Sequence, residues 1–258
     1  MSISLAEGEI IKEMVRDKLY IVTGSSKGIG EALVGQLLGD PKNHVIGVAR
    51  SQKSLPNPRF TALSLDLTKI EEVLANLKQF FPAGDFQEVV LVNNAGWIGE
   101  IQHLGKIEPE SIQRIFMLNT IIPTVLMNAF IKVYGNQKEI NRMIVNVSSG
   151  AAKKAIDGWS CYSASKAAVN MLSEAAAAEA KLDQTGIRVF SVAPGVVDTA
   201  MQQDIRSADA ASFSSLSRFV ELKEKQQLSS PSFAAGKIIE LIQNAEKFDE
   251  VLLDVREF

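Results

Sequence analysis

The sequence predicts an α/β protein of one domain, built on a parallel, doubly wound sheet of seven strands. Three observations carry that expectation. Short runs rich in β-branched residues alternate with longer segments of helical periodicity, and a glycine cluster sits where the first run gives way to the first helical segment. The 258 residues are 46% apolar, enough to cover both faces of one sheet.

In chain order the expected strands are 19–22, 44–49, 60–65, 89–92, 142–147, 187–192 and 251–253. Between them, helical periodicity marks 29–38, 70–80, 111–134, 162–182 and 232–243. Repeated βα units imply parallel pairing with helices on both faces. Pro123 is expected to kink the third helix, because it lacks a backbone donor and its ring clashes with the preceding turn. Residues 199–227, rich in Ser and Ala, contain no strand and are expected to form a flap or helical lid over a site. Residues 1–17 read as an extension to a domain of residues 18–258. Their acids and the lack of a long apolar run exclude a secretory signal, and Ile10, Ile11, Met14 and Val15 make one helical face suited to docking.

A net charge of −3 with scattered cations gives no footprint for nucleic acid or an anionic membrane, and no segment is expected to span a bilayer. Cys161 is the single cysteine, which excludes an internal disulfide and points to a reducing, cytoplasmic setting. With only His44 and His103 besides, no metal site is expected. The expected partner is a small molecule.

Thr23-Gly24-Ser25-Ser26-Lys27-Gly28-Ile29-Gly30 follows the first strand and opens the first helix. Glycines there let the backbone approach a pyrophosphate at a helix N-terminus, although a plain glycine-rich turn has the same composition. An acid after the second strand would hold an adenosine 2′-hydroxyl, but the sequence there is Ala49-Arg50-Ser51. Arg50, with Lys27 as a second cation, therefore predicts NADPH/NADP⁺. Asp66, followed by Leu67, either accepts the adenine amino group or caps the next helix. Asn93-Asn94-Ala95-Gly96 follows the fourth strand, where Gly96 permits close approach to a cofactor and Asn93 is expected to tie the loop down.

Tyr162 and Lys166 stand at i and i+4 on one helix, so their side chains are neighbours. Lowering a phenol from pKa 10 to about 7 needs roughly 4 kcal/mol of phenolate stabilisation. An ammonium about 4 to 5 Å away supplies roughly 3 to 4 kcal/mol at an effective dielectric of 20. Ser148, after the fifth strand, is expected to hydrogen-bond a substrate carbonyl, with Ser149 as the fallback. Asn119, in the kinked helix, is expected to hold a water that relays protons to Lys166.

Together these residues resemble the short-chain dehydrogenase/reductase family from Leu19 onward. The resemblance implies a Rossmann fold with strand order 3-2-1-4-5-6-7. It places the dinucleotide on Gly24, Ser26, Lys27, Gly28, Ile29, Gly30, Arg50, Asp66, Leu67, Asn93, Ala95 and Gly96, with Tyr162 and Lys166 also touching it. Pro194, Gly195, Val197, Thr199 and Met201 would line its nicotinamide side. It implies a catalytic set of Asn119, Ser148, Tyr162 and Lys166.

Gly158-Trp159-Ser160-Cys161-Tyr162 and residues 193–203 are similar to the sepiapterin and bacterial benzil reductases of that family. A ketone, α-diketone or pterin-like dicarbonyl is the implied substrate, with Trp159, Met201 and Gly195 beside it. By the same resemblance Asp254 would anchor a pterin edge, although it could equally end a strand in solvent. Other ketones such as acyl thioesters, or NADPH sensing without catalysis, are the alternatives. The alanines 167–168 and 175–178 slim the helix after Tyr162, and the resemblance implies a homodimer built on that helix and the one containing Asn119.

Overall fold

The computed structural model describes residues 17–258, so the apolar face expected around Ile10, Ile11, Met14 and Val15 lies outside the described residues. The strands are β1 (Asp17–Thr23), β2 (Asn43–Ala49), β3 (Phe60–Ser64), β4 (Phe86–Asn93), β5 (Asn141–Val147), β6 (Arg188–Ala193) and β7 (Leu252–Asp254). All pair in parallel, in the order β3-β2-β1-β4-β5-β6-β7. This is the expected topology.

Alternation along the central strands divides the core in two. Leu19 and Ile21 of β1 and Val89 and Leu91 of β4 point to one face. There they meet α5 (Ile122–Tyr134) and α6 (Ser160–Leu182), with Leu126, Phe130 and Ala176 in the same cluster. Tyr20, Val22, Val90 and Val92 point the other way, onto Leu33 and Leu37 of α1 (Gly28–Leu37) and Ile238 and Leu241 of α9 (Pro231–Gln243). Strands buried on both faces read as near-continuous apolar runs, which is why they stand out in the sequence.

Three expectations need correction. The helix expected over 70–80 is two pieces, α2 (Ile70–Ala75) and α3 (Leu77–Phe80), because the Asn76 side chain donates to the Glu72 carbonyl at 2.8 Å and competes for a helix acceptor. The third helix is α4 (Pro109–Phe116), a π-helical turn over Met117–Ile121, and α5. Its irregularity precedes Pro123, which sits in the first turn of α5 where a missing N–H costs least. The run Pro109–Tyr134 is also long and apolar enough to cross a membrane by length and composition, against expectation. Its apolar side, with Ile115, Ile122, Leu126 and Phe130, is buried in the protein's own clusters.

Residues 199–227 carry α7 (Ala200–Arg206) and α8 (Leu216–Glu224). Phe213, Phe219 and Ile205 from this segment join Ile98, Trp159 and Tyr162 in a third apolar cluster above the sheet. The segment is a helical lid packed on the start of α6.

Candidate active site

β1 and β4 are neighbours, but the chain leaves them toward opposite edges of the sheet. Such a switch point opens a crevice at the carboxyl ends of the strands. Here the crevice measures about 860 Å³. Ser26, Lys27, Gly28 and Ile29 line it at one end, with Gly24 at the turn. Gly24 and Gly28 have φ of +67° and +58°, a backbone that side chains resist. Lys27 occupies the N-cap of α1 and makes no side-chain cap, so the first N–H groups of the helix remain available to an anion.

Gly30 does not line the crevice, which corrects its expected role. A Cβ there would lie 2.2 Å from the Gly24 carbonyl oxygen and 2.6 Å from Asn94 Nδ2, so this glycine lets α1 start against the turn. Thr199 closes the other side, its methyl 3.2 Å from where a Cβ on Gly28 would be.

Arg50, Asp66 and Leu67 line the same end from the loops after β2 and β3. Asp66 Oδ1 accepts from Thr68 N at 2.9 Å and Thr68 Oγ1 at 2.8 Å. Burial pushes its carboxyl up, but those bonds and the charges of Arg50 and Lys69 hold it below the usual range. It forms a local turn and does not cap α2, whose N-cap is Lys69.

Asn93 is turned away from the crevice, donating to Asn146 Oδ1 at 2.8 Å in the core. The loop is tied down by Asn94, which sequence reasoning passed over. Its Nδ2 donates to the Thr23 carbonyl at 2.9 Å, while Thr23 Oγ1 accepts from the N–H groups of Asn94 and Ala95 at 3.0 Å. The doubled Asn was the available signal. An uncapped helix start, two cations and an acid with a free oxygen fit a dinucleotide phosphate and adenine.

Tyr162 and Lys166 stand one turn apart near the start of α6, 6% and 5% exposed. Lys166 Nζ donates to the Val147 carbonyl at 2.8 Å. Burial pushes the Tyr162 phenol up, opposed by a hydrogen bond with Ser149, and pushes Lys166 down to about 8. Burial therefore outweighs any lowering of the phenol. Low polarity disfavours both charged forms, and the ammonium is bonded to a backbone carbonyl instead.

The two serines both line the crevice but are engaged differently. Ser148 Oγ donates to Asn170 Oδ1 at 2.6 Å, so its proton is committed to α6. Ser149 accepts from Ala151 N at 3.1 Å and is the serine that meets the Tyr162 hydroxyl. Alternation along β5 was the missed signal. Ile144 and Asn146 already face α5 and α6, and Ser148 follows them.

Asn119 is 1% exposed within the π turn and does not line the crevice. Its Oδ1 accepts from Trp97 N and its Nδ2 donates to Trp97 O, both at 2.9 Å, with Ser165 Oγ at 3.1 Å. With its side chain so engaged, it holds the Trp97 loop against α6.

At the far end Pro194, Gly195, Val197 and Met201 line the crevice, as expected, together with Trp159. The Trp159 ring stacks on Phe213 at 5.1 Å and 18°, and meets Tyr162 edge-on at 5.7 Å. Its indole N–H is buried without a partner. Phe213 and Phe219 were not foreseen, and neither was Trp97, over which Arg114 lies at 4.6 Å. Asp254 also lines the crevice, but Arg256 engages both carboxylate oxygens, Nε to Oδ1 at 2.7 Å and Nη2 to Oδ2 at 2.5 Å. That guanidinium holds its carboxyl below the usual range.

Residues 18–210 match the family model described as short chain dehydrogenase. The chain is 32% identical over 244 residues to a benzil reductase ((S)-benzoin forming) of Bacillus subtilis (strain 168), covering 93% of this chain and 99% of the relative. It is 30% identical over 251 residues to a sepiapterin reductase of Bos taurus, covering 90% and 91%. The crystal structure of the KRED1-Pglu enzyme superposes with a TM-score of 0.76 at 33% identity, over 88% of this chain and 95% of that one. With its parallel sheet, glycine turn and Tyr162/Lys166 pair, this chain belongs to the short-chain dehydrogenase/reductase family of oxidoreductases, whose members use nicotinamide cofactors.

Proposed function

We propose that the protein is an NADPH-dependent reductase of aromatic α-diketones of the benzil type, with Tyr162 as proton donor. The observation that carries this is a buried phenol, kept protonated by its surroundings and bonded to Ser149, facing a crevice whose far wall is aromatic.

Bound NADPH would supply the hydride. Lys27 and Arg50 would pair with its 2′-phosphate, and the start of α1 would receive the pyrophosphate. Ser149 and Tyr162 donate to one carbonyl oxygen, and Tyr162 gives up its proton as the carbon is reduced. A phenol raised by burial suits that direction, because it enters the reaction protonated. Lys166, still an ammonium at neutral pH, is one turn away to favour the phenolate that remains.

The same wall is compatible with a pterin, the second reading, which the bovine relative's name favours. Against it stands the Asp254–Arg256 pair, in which a guanidinium already bonds both carboxylate oxygens that a pterin edge would have to share. We also propose a cytoplasmic homodimer, supported by the single free cysteine and by exposed Ile121, Val133 and Met171 on the two long helical elements.

Following NADPH absorbance with benzil, sepiapterin and an acetoacetyl thioester in turn tests the reading. Benzil should turn over fastest. Tight NADPH binding with no turnover of any carbonyl would replace the reductase with a sensor.

A further inference from the structure

We propose that Asn170 is a positioning residue for the Tyr162–Ser149 pair, acting as a clamp that fixes the end of β5 against α6. This rests on the proposed reductase mechanism, in which Tyr162 and Ser149 share the substrate oxygen.

Asn170 lies one turn beyond Lys166 on α6 and is 9% exposed. Its Oδ1 accepts two hydroxyls, from Ser148 at 2.6 Å and from Ser191 of β6 at 2.8 Å. All three groups are buried, so each bond is worth more than at the surface, and losing the shared acceptor strands two donors. Ser148 is the middle of three residues with one task. Val147 before it supplies the carbonyl that holds Lys166 Nζ, and Ser149 after it meets the Tyr162 hydroxyl. By pinning Ser148, Asn170 sets the separation between the helix carrying Tyr162 and Lys166 and the strand end carrying their partners. The Ser148 N–H to Val192 carbonyl bond, 2.8 Å, fixes the same residue to β6 but not to α6. That second link depends on Asn170.

The test is kinetic and structural. With benzil and NADPH, Asn170→Ala should lower kcat about 10-fold and leave the KM for NADPH within about twofold. In a Ser149→Ala background the same substitution should cost less than about twofold, because the group it positions is gone. Ser148→Ala, which opens the clamp from the other side, should reproduce the loss and serves if Asn170→Ala does not fold. Equal losses in both backgrounds, or an NADPH KM that rises as far as kcat falls, would overturn the clamp. Crystal structures of the two clamp variants give a readout free of turnover: Ser149 Oγ should move away from Tyr162. A strand end that superposes unchanged would overturn the inference even if the native protein reduces no carbonyl.

Discussion

The two ends of the crevice are built differently. At the dinucleotide end, short loops following β1, β2, β3 and β4 meet, held by the local Asp66–Thr68 turn and by the Asn94–Thr23 bonds between two of the loops. At the carbonyl end, Trp97, Trp159, Phe213, Phe219 and Arg256 converge from four separate segments, and aromatic packing holds most of them. The first end is a fixed receptor for a constant ligand. The second is a surface that a few side chains can redefine.

That contrast predicts where substitutions fall. At the junction, Tyr162→Phe removes the proton donor and should lower kcat with benzil by about 1,000-fold or more, with NADPH affinity by calorimetric titration within about twofold. At the dinucleotide end, Arg50→Asp would replace the proposed attraction for a 2′-phosphate with a repulsion. It should lower kcat/KM for NADPH by about 100-fold and leave that for NADH little changed. An unchanged ratio of the two would remove the phosphate assignment.

At the carbonyl end, Phe213→Ala takes away the ring stacked on Trp159 and should cost about 10-fold in kcat/KM for benzil, with none in NADPH affinity. Were NADPH affinity to fall equally, the two ends would not be separable as described. The smallest effect is that of pH. Burial lowers Lys166 to about 8, so it is an ammonium below that value and a neutral amine above it. The reduction rate should hold from pH 6 to 7 and fall a few-fold through about pH 8, read from the pH profile of kcat.

The same contrast decides what the sequence made legible. The strands, the glycine turn, Arg50 and the Tyr162/Lys166 pair are local patterns, each contained in a few residues whose spacing carries the chemistry. Gly30, Asn93 and Asn119 match a motif equally well, yet each side chain or Cβ position faces the protein, because packing between α1, the Asn94 loop and the π turn decides direction. Ser148 and Ser149 are adjacent and chemically identical, and only the alternation of β5 separates them. Asp254 looked free until Arg256, two residues on, proved to be its partner. The lid aromatics are more than fifty residues from Trp159 and carry no periodic signal that would pair them. Local chemistry was readable, and orientation set by distant segments was not.

The most direct measurement incubates the protein with NADPH and benzil and quantifies both benzoin formed and NADPH oxidised. The account predicts one benzoin for each NADPH consumed. Saturable NADPH binding without benzoin formation would contradict it.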